Sequence, residues 1–446
     1  MKAGELNAEG LRIGIGFPSA IMLVIGGVIG VGIFVNPAVV ARDLSSPVLM
    51  LGAWVAGGGI ALLGAFVYAE LAARLPSTGG EYVYMRETYG PLAGFLFGWT
   101  TLLVVHAGGM AAVAIVFAKN VDVLAGGVLS EKLVVAVTLG GLAAVNCAGV
   151  RTGNGVQAGL GLLKVLVIFA LIAGGLFFAP DAMTAEHDVS ASHDTFKAFG
   201  AAMIPVVFSY GGWQTANYVT GEIRDPARNL SRALLAGVVL VIVLYLLVNV
   251  ACLRALGPSR LGATLTPASD VLERVAGPIG ARLAAFAISL SAFAFLSQAM
   301  LTGPRVLFAM ARDGLFFRSL ANVSETSRVP AAAIALQAVW AGVLALSGRY
   351  DQILSYVIAM NFLFFALSGS CLFVLRRRDA GSRHMHASVL HPWSTALFIA
   401  ACLAIVGFSF WAYPLDSIAG YGIMALGILP YLFWRSRNRR VLTEKE

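Results

Sequence analysis

The chain has 446 residues, of which 59% are hydrophobic and 12% charged, with 31 Lys and Arg against 23 Asp and Glu and a net charge of +8. A mean hydropathy of +0.83 and so few charges exclude a water-soluble globule, in which roughly a quarter of residues are charged. Stretches of about twenty apolar residues, enough to cross roughly 30 Å of hydrocarbon, recur along almost the whole chain, and the positive balance is explained by membrane topology rather than by nucleic-acid binding.

Residues 1–16 are polar, lack a small-residue cleavage site and lead into a span too long for a signal-peptide core, so the first helix is expected to be retained. About twelve spans follow, at 17–41, 47–75, 91–119, 132–150, 154–178, 196–219, 231–256, 280–307, 330–346, 351–375, 393–411 and 415–434. They divide into one five-helix unit (17–178), a second (196–375), two further helices (393–434) and a basic tail (435–446).

The first span is interrupted by Gly30-Val31-Gly32-Ile33-Phe34, and the sixth by Phe208-Ser209-Tyr210-Gly211-Gly212-Trp213. An unpaired peptide group in hydrocarbon costs several kcal/mol, so unwound backbone survives at that depth only inside protein or beside a watery cavity. Breaks at matching places in two halves point to a transporter binding site at their interface. Spans one and six are broken, two and seven plain and long, five and ten dotted with polar residues, which fits a five-plus-five repeat. Because the second unit starts after an odd number of crossings, it is inverted relative to the first. Most Lys and Arg, including Arg224, Arg228, Arg232, the Arg376-Arg377-Arg378 run and the tail, fall in loops on one side. That side is the cytoplasm of a multi-pass cell-membrane protein, with both termini inside. The arginine run and tail need no function beyond fixing that topology.

Cys147, Cys252, Cys371 and Cys402 all lie inside spans, where they act as small apolar residues, and they lack the spacing of a metal site. No metal or other cofactor is expected. Lys164 stands mid-span between Leu163 and Val165. An ionisable group at that depth needs a partner or a job. Its ammonium group can donate to helix-end carbonyls, with Ser291 and Ser297 as further partners, or it can carry a proton during transport; the sequence leaves both open.

Three stretches are highly specific: Ala69-Glu70-Leu71-Ala72-Ala73-Arg74-Leu75-Pro76, then Gly79-Gly80-Glu81-Tyr82-Val83-Tyr84, then Gly90-Pro91-Leu92-Ala93-Gly94-Phe95. With Phe208 to Trp213, Gly221-Glu222, Asn229 and Met310-Ala311-Arg312-Asp313-Gly314, they resemble the amino acid–polyamine–organocation superfamily, most closely its L-amino acid transporter branch. The resemblance implies an all-α membrane fold of the LeuT type, a five-plus-five inverted repeat with helices one and six unwound, plus two C-terminal helices. It also implies sodium-independent amino acid transport, usually exchange, by alternating access. Proton-coupled symport and exchange of polyamines or organic cations remain alternatives, as does an accessory subunit.

An interrupted helix offers free N–H groups at one end and free carbonyls at the other, the two things a zwitterion needs. By resemblance, Gly30, Val31 and Gly32 would bind the carboxylate, and the carbonyls of Val28, Phe208 and Gly211 the amine, with Ser209 in the same break. Many relatives carry a serine where this chain has Val31, so one hydroxyl donor is missing. Phe208 would be the aromatic gate over the substrate, and Tyr210 and Trp213 serve equally well as packing residues. Lys164 would sit where sodium-coupled relatives hold sodium, bridging the first and eighth helices. His106, Gln214, Asn217, Gln298 and Asn361 are candidates for the side-chain pocket, Asn361 by a match to a pocket asparagine of the branch. Glu70 and Glu222 are gate candidates, as exposed helix-end ion pairs with Arg74 and with Arg224 or Arg228. No Asp or Glu lies mid-span in helices one, three, six, eight or ten, which disfavours basic substrates and leaves neutral amino acids as the best class. A membrane enzyme would need a convergent nucleophile–base pair or a metal cluster, and a channel a repeated filter; neither is visible.

Overall fold

The computed structural model describes residues 6–179, 182, 195–325, 327–347, 350–378 and 391–443. Its named elements are helices. The first two, α1 (Phe17–Val28) and α2 (Gly32–Asp43), are one span cut in two. Then come α3 (Pro47–Arg74), the short α4 (Glu81–Tyr89), and α5 (Pro91–Thr100), which passes through a π-helical turn at Thr101–Val105 into α6 (His106–Leu124). The first half closes with α7 (Glu131–Cys147) and α8 (Val150–Ala173). The second half starts at α9 (Thr195–Ser209), which gives way to a 3₁₀ segment at Trp213–Glu222. It continues through α10 (Pro226–Leu256), α11 (Pro258–Ala263), α12 (Pro267–Thr302), α13 (Pro304–Arg312), α14 (Ala331–Ser347) and α15 (Tyr350–Arg378). Last are α16 (Trp393–Ala412), α17 (Pro414–Leu426) and α18 (Ile428–Thr443).

Among the described residues, nine segments are long and apolar enough to cross a membrane. They match nine of the twelve expected spans. The other three correspond to α7, α9 and α14, helices of 17, 15 and 17 residues. The sixth falls short because its helix stops at the break, not because apolar residues run out.

Proline at the first turn opens α3, α5, α10, α12, α13 and α17, where its fixed φ suits a helix and its missing N–H costs nothing. The eighth span begins earlier than expected: α12 starts at Pro267 and kinks at Ala276 and Gly277 (φ 60°), just before Pro278. The π-helical turn leaves the Leu103 carbonyl to accept the Trp340 indole N–H at 3.2 Å.

The bundle packs through small residues, as membrane helices do in the absence of a hydrophobic drive between them. α10 lies along both α3 and α1, and α12 lies against α6 and α8. A Cβ on Gly58 of α3 would meet Ile242 at 2.9 Å, and one on Gly237 of α10 would meet Val24 at 2.7 Å, so only glycine permits these approaches. On the face where the chain begins, residues 6–15 form a strap. Ile15 pairs in parallel with Ile223, Gly14 and Ile15 N–H donate to the Glu222 carbonyl at 3.1 Å, and Arg224 N–H donates to the Ile15 carbonyl at 2.9 Å.

Candidate functional site

α1 ends where Ile29 N–H donates to the Ile25 carbonyl at 2.8 Å and Gly30 N–H turns back to the Val28 carbonyl at 2.8 Å. α2 restarts two residues later. The N–H groups of Val31, Gly32 and Ile33 have no acceptor among the described residues, whereas Phe34 N–H donates to the Val31 carbonyl at 3.1 Å. These are the open donors of a helix N-terminus, at its positive dipole end. Glycine is required at the restart because a Cβ on Gly32 would lie 2.8 Å from Ser209 Oγ.

The second break folds on itself. Gly211 N–H donates to the Phe208 carbonyl at 3.0 Å, Gly212 (φ 105°) donates to Gln214 Oε1 at 2.9 Å, and Thr215 Oγ1 donates to the Gly212 carbonyl at 2.7 Å. The Gly211 carbonyl has no donor among the described residues, and the Phe208 carbonyl keeps one of its two lone pairs. The breaks touch through glycine: a Cβ on Gly27 would lie 2.6 Å from the Gly212 carbonyl oxygen.

Between them lies a cavity of about 90 Å³, small beside the several hundred Å³ of a drug-sized site. Val28, Gly30, Val31, Gly32, Phe208, Ser209, Gly211, Gln298 and Asn361 all line it, as do His106 and Gln214. Thr215, Tyr218, Phe295 and Val113 complete much of the wall, and among the described residues no Asp, Glu, Lys or Arg reaches it. Gln298 Nε2 donates to Thr215 Oγ1 at 2.7 Å, while His106 is held against Gln337 at 3.4 Å. Asn217 is not in the wall; it accepts from the Tyr84 hydroxyl at 3.1 Å and donates to the Gln214 carbonyl at 3.0 Å. Tyr210 packs on Trp54 and Tyr245, and Trp213 on Tyr68 and Phe365, so both are packing residues for the cavity's back.

Lys164 is fully buried, and its ammonium group donates to the carbonyls of Gly26, at 2.9 Å, and of Ile29. Ser291 Oγ donates to the Gly30 carbonyl at 3.1 Å and lies 3.4 Å from that of Ile29. Ser291, not Ser297, meets the break, because six helical residues separate the two by about 9 Å along α12. Sequence reasoning missed Tyr245 on the plain seventh span. Its hydroxyl reaches the Val28 carbonyl at 3.0 Å and the Ser209 carbonyl at 3.1 Å, tying both breaks to α10 with one hydrogen. A tyrosine hydroxyl deep among the Leu and Val of α10 was the available signal.

The expected gate pairs need correction. Glu222 is paired not with Arg224 or Arg228 but with Arg305, whose Nε lies 2.8 Å from Glu222 Oε1, with both side chains fully buried. Glu70 pairs with Arg74 at 2.9 Å as expected, but it is buried and takes a second partner, Arg376, at 2.6 Å. The arginine run therefore does more than set topology, because it clamps α15 to α3. Burial removes water from these carboxylates, so losing Arg305 would strand the Glu222 charge at about 3–5 kcal/mol, whereas Glu70 would keep a second arginine. Neither Glu70 nor Glu222 lines the cavity.

The amino acid permease family model matches residues 15–433, from the strap to the last helix. The chain is 31% identical to the serine/threonine exchanger SteT of Bacillus subtilis (strain 168) over 407 residues, 90% of this chain and 91% of that protein. It is 30% identical to the human large neutral amino acids transporter small subunit 2 over 446 residues, 96% of this chain and 82% of the other. The mouse Asc-type amino acid transporter 1 is also 30% identical, over 464 residues, with 97% and 83% covered. Two facing helix breaks, an uncharged cavity between them and a match along nearly the full length make this chain a member of the amino acid permease family, in the amino acid–polyamine–organocation superfamily.

Proposed function

We propose that the protein exchanges small neutral L-amino acids across the cell membrane by alternating access, without sodium. The observation that carries this is the row of open N–H groups at Val31, Gly32 and Ile33, the first two belonging to residues that line a cavity also lined by Gly211 and Phe208, whose carbonyls keep free lone pairs. A carboxylate belongs at the positive end of α2 and an ammonium group at the carbonyls. With no charged side chain in the wall, a substrate side chain that carried a charge would stay unpaired. The volume and the polar rim of Gln298, Thr215, His106 and Asn361 suit a small or hydroxylated side chain, in keeping with the serine/threonine exchange named for SteT.

Lys164 takes the role of a fixed cation. It occupies the carbonyls that a bound metal ion would otherwise need, which removes the requirement for sodium. In this proposal residues 17–178 and 196–375 are the two inverted units, Phe208 covers the substrate, and both termini face the cytoplasm, so the strap and the buried ion pairs seal the inner side. Counterflow in proteoliposomes tests it. Preloaded serine or alanine should drive saturable uptake of labelled substrate at an unchanged initial rate when choline replaces sodium; ohmic current, or a large loss without sodium, contradicts it.

A further inference from the structure

Below the cavity, on the face of the strap, one buried carboxyl has no counter-ion. Glu81 opens α4 and is fully buried. The Tyr68 hydroxyl donates to its Oε1 at 2.7 Å, and the Tyr218 hydroxyl faces the same carboxyl. Tyr218 also lines the substrate cavity, so one aromatic ring separates substrate from carboxyl. Both junctions are tight: Gly79 N–H donates to the Tyr218 carbonyl at 3.0 Å, and a Cβ on Gly80 (φ 53°) would lie 2.6 Å from the Tyr218 ring.

Among the described residues, the charged groups of the surrounding elements are engaged elsewhere or, like Arg377 of α15, exposed. On α3, Glu70 holds Arg74 and Arg376. On α13, Arg305 holds Glu222 and Arg312 lies 3.4 Å from Glu9, while Asp313 beyond it takes Tyr82 and Arg86. On α15, Arg378 donates to the Glu87 and Thr88 carbonyls, and Cys371 lies against the Tyr84 carbonyl. α5 has no ionisable residue, and on α4 itself Arg86 pairs with Glu87 and Asp313, while Tyr84 is bound to Asn217. No described cation pairs with Glu81.

We propose that Glu81 is a proton-binding site that latches the inner exit, neutral while the exit is shut and ionised once it opens. A substrate leaving past Tyr218 must part that ring from α4, and water then reaches the carboxyl. The sign follows from burial. Desolvation pushes the closed-state carboxyl up to about 7, even with Tyr68 and Tyr218 favouring the ionised form, against roughly 4.3 for a hydrated glutamate. The closed form therefore binds the proton. Rising inner pH favours opening across the interval from about 4.3 to 7, by up to about tenfold in the open-to-closed ratio per pH unit, and has no further effect above it.

The test needs an equilibrium readout that is not itself proton-dependent. Spin labels at Arg12→Cys on the strap and Arg318→Cys beyond α13, in a background with the four native cysteines replaced, would report the separation by electron–electron resonance in lipid nanodiscs. The longer-distance population should grow about tenfold in ratio per unit between pH 5 and 6.5 and level off above 7. Glu81→Gln should flatten that titration. Tyr68→Phe removes a donor to the ionised form, so it should move the midpoint to higher pH, and this variant decides the matter if Glu81→Gln does not fold. A flat wild-type titration, an unchanged one in Glu81→Gln, or a midpoint moved to lower pH in Tyr68→Phe overturns the proposal. Each would leave amino acid exchange, measured by counterflow, standing.

Discussion

The two helix breaks share a glycine-rich sequence but spend their backbone groups differently. In the first, the carbonyls are taken: Lys164 holds those of Gly26 and Ile29, Ser291 that of Gly30, and Tyr245 that of Val28. Its donors are left open at Val31, Gly32 and Ile33. In the second, the donors of Gly211 and Gly212 are consumed locally by Phe208 and Gln214, and the Gly211 carbonyl is left open. One break is thus anchored from outside by α8, α10 and α12 and offers N–H groups. The other is capped mainly by its own residues, with Tyr245 of α10 reaching only its Ser209 carbonyl, and offers carbonyls. A zwitterion laid between them has each end matched to the complementary dipole.

The largest effect that can break this comparison comes from filling the space on either side. Gly30→Leu and Gly211→Leu should each abolish binding of every neutral amino acid, at least about 100-fold in competition assays. Gly30→Ala should be far milder, because a Cβ there makes only an ordinary 3.5 Å contact with Phe295. Preserved binding in Gly30→Leu would detach the first break from the substrate.

Next is the anchoring of the first break. Lys164→Ala should leave an inserted protein whose turnover falls about 10- to 100-fold, because deleting the cation strands buried carbonyls at about 1–3 kcal/mol each. Wild-type flux in that variant would show that the anchor is dispensable. Tyr245→Phe should slow exchange by about 3- to 10-fold, and Ser291→Ala by less, since Tyr245 joins both breaks and Ser291 only one. The reverse order would mean that the breaks work independently.

The smallest effects should lie away from both breaks. Gln298→Ala and Asn361→Ala should shift the preference among serine, threonine and alanine by about 3- to 10-fold with little change in the need for an α-carboxylate. Uniform loss across substrates would move those residues from the side-chain wall to the zwitterion site.

The breaks and Lys164 were legible in the sequence because each violates a local rule: glycine inside a membrane helix, and a charge at mid-depth. Much of the cavity wall followed from them, since the seven residues named at the breaks line one space, joined by Gln298 and Asn361 from the eighth and tenth spans. What was not legible depends on which helices meet. Nothing near Glu222 in sequence announces Arg305, 83 residues away, and the nearer arginines at 224 and 228 made the wrong partner plausible. Helix periodicity cannot tell Ser291 from Ser297 without knowing how α12 is rotated against α1. Tyr245 was hidden by its surroundings, a long apolar helix in which one hydroxyl disturbs neither hydropathy nor length. Glu81 was visible as part of a motif, but its missing counter-ion is a property of the packed neighbours alone.

Competition for counterflow by matched pairs of compounds, an amino acid and the amine that lacks only its α-carboxylate, tests the central claim most directly. If the open N–H groups of Val31, Gly32 and Ile33 hold the carboxylate, every amine should compete at least about 100-fold more weakly than its parent. Amines that compete as well as the amino acids would contradict the account.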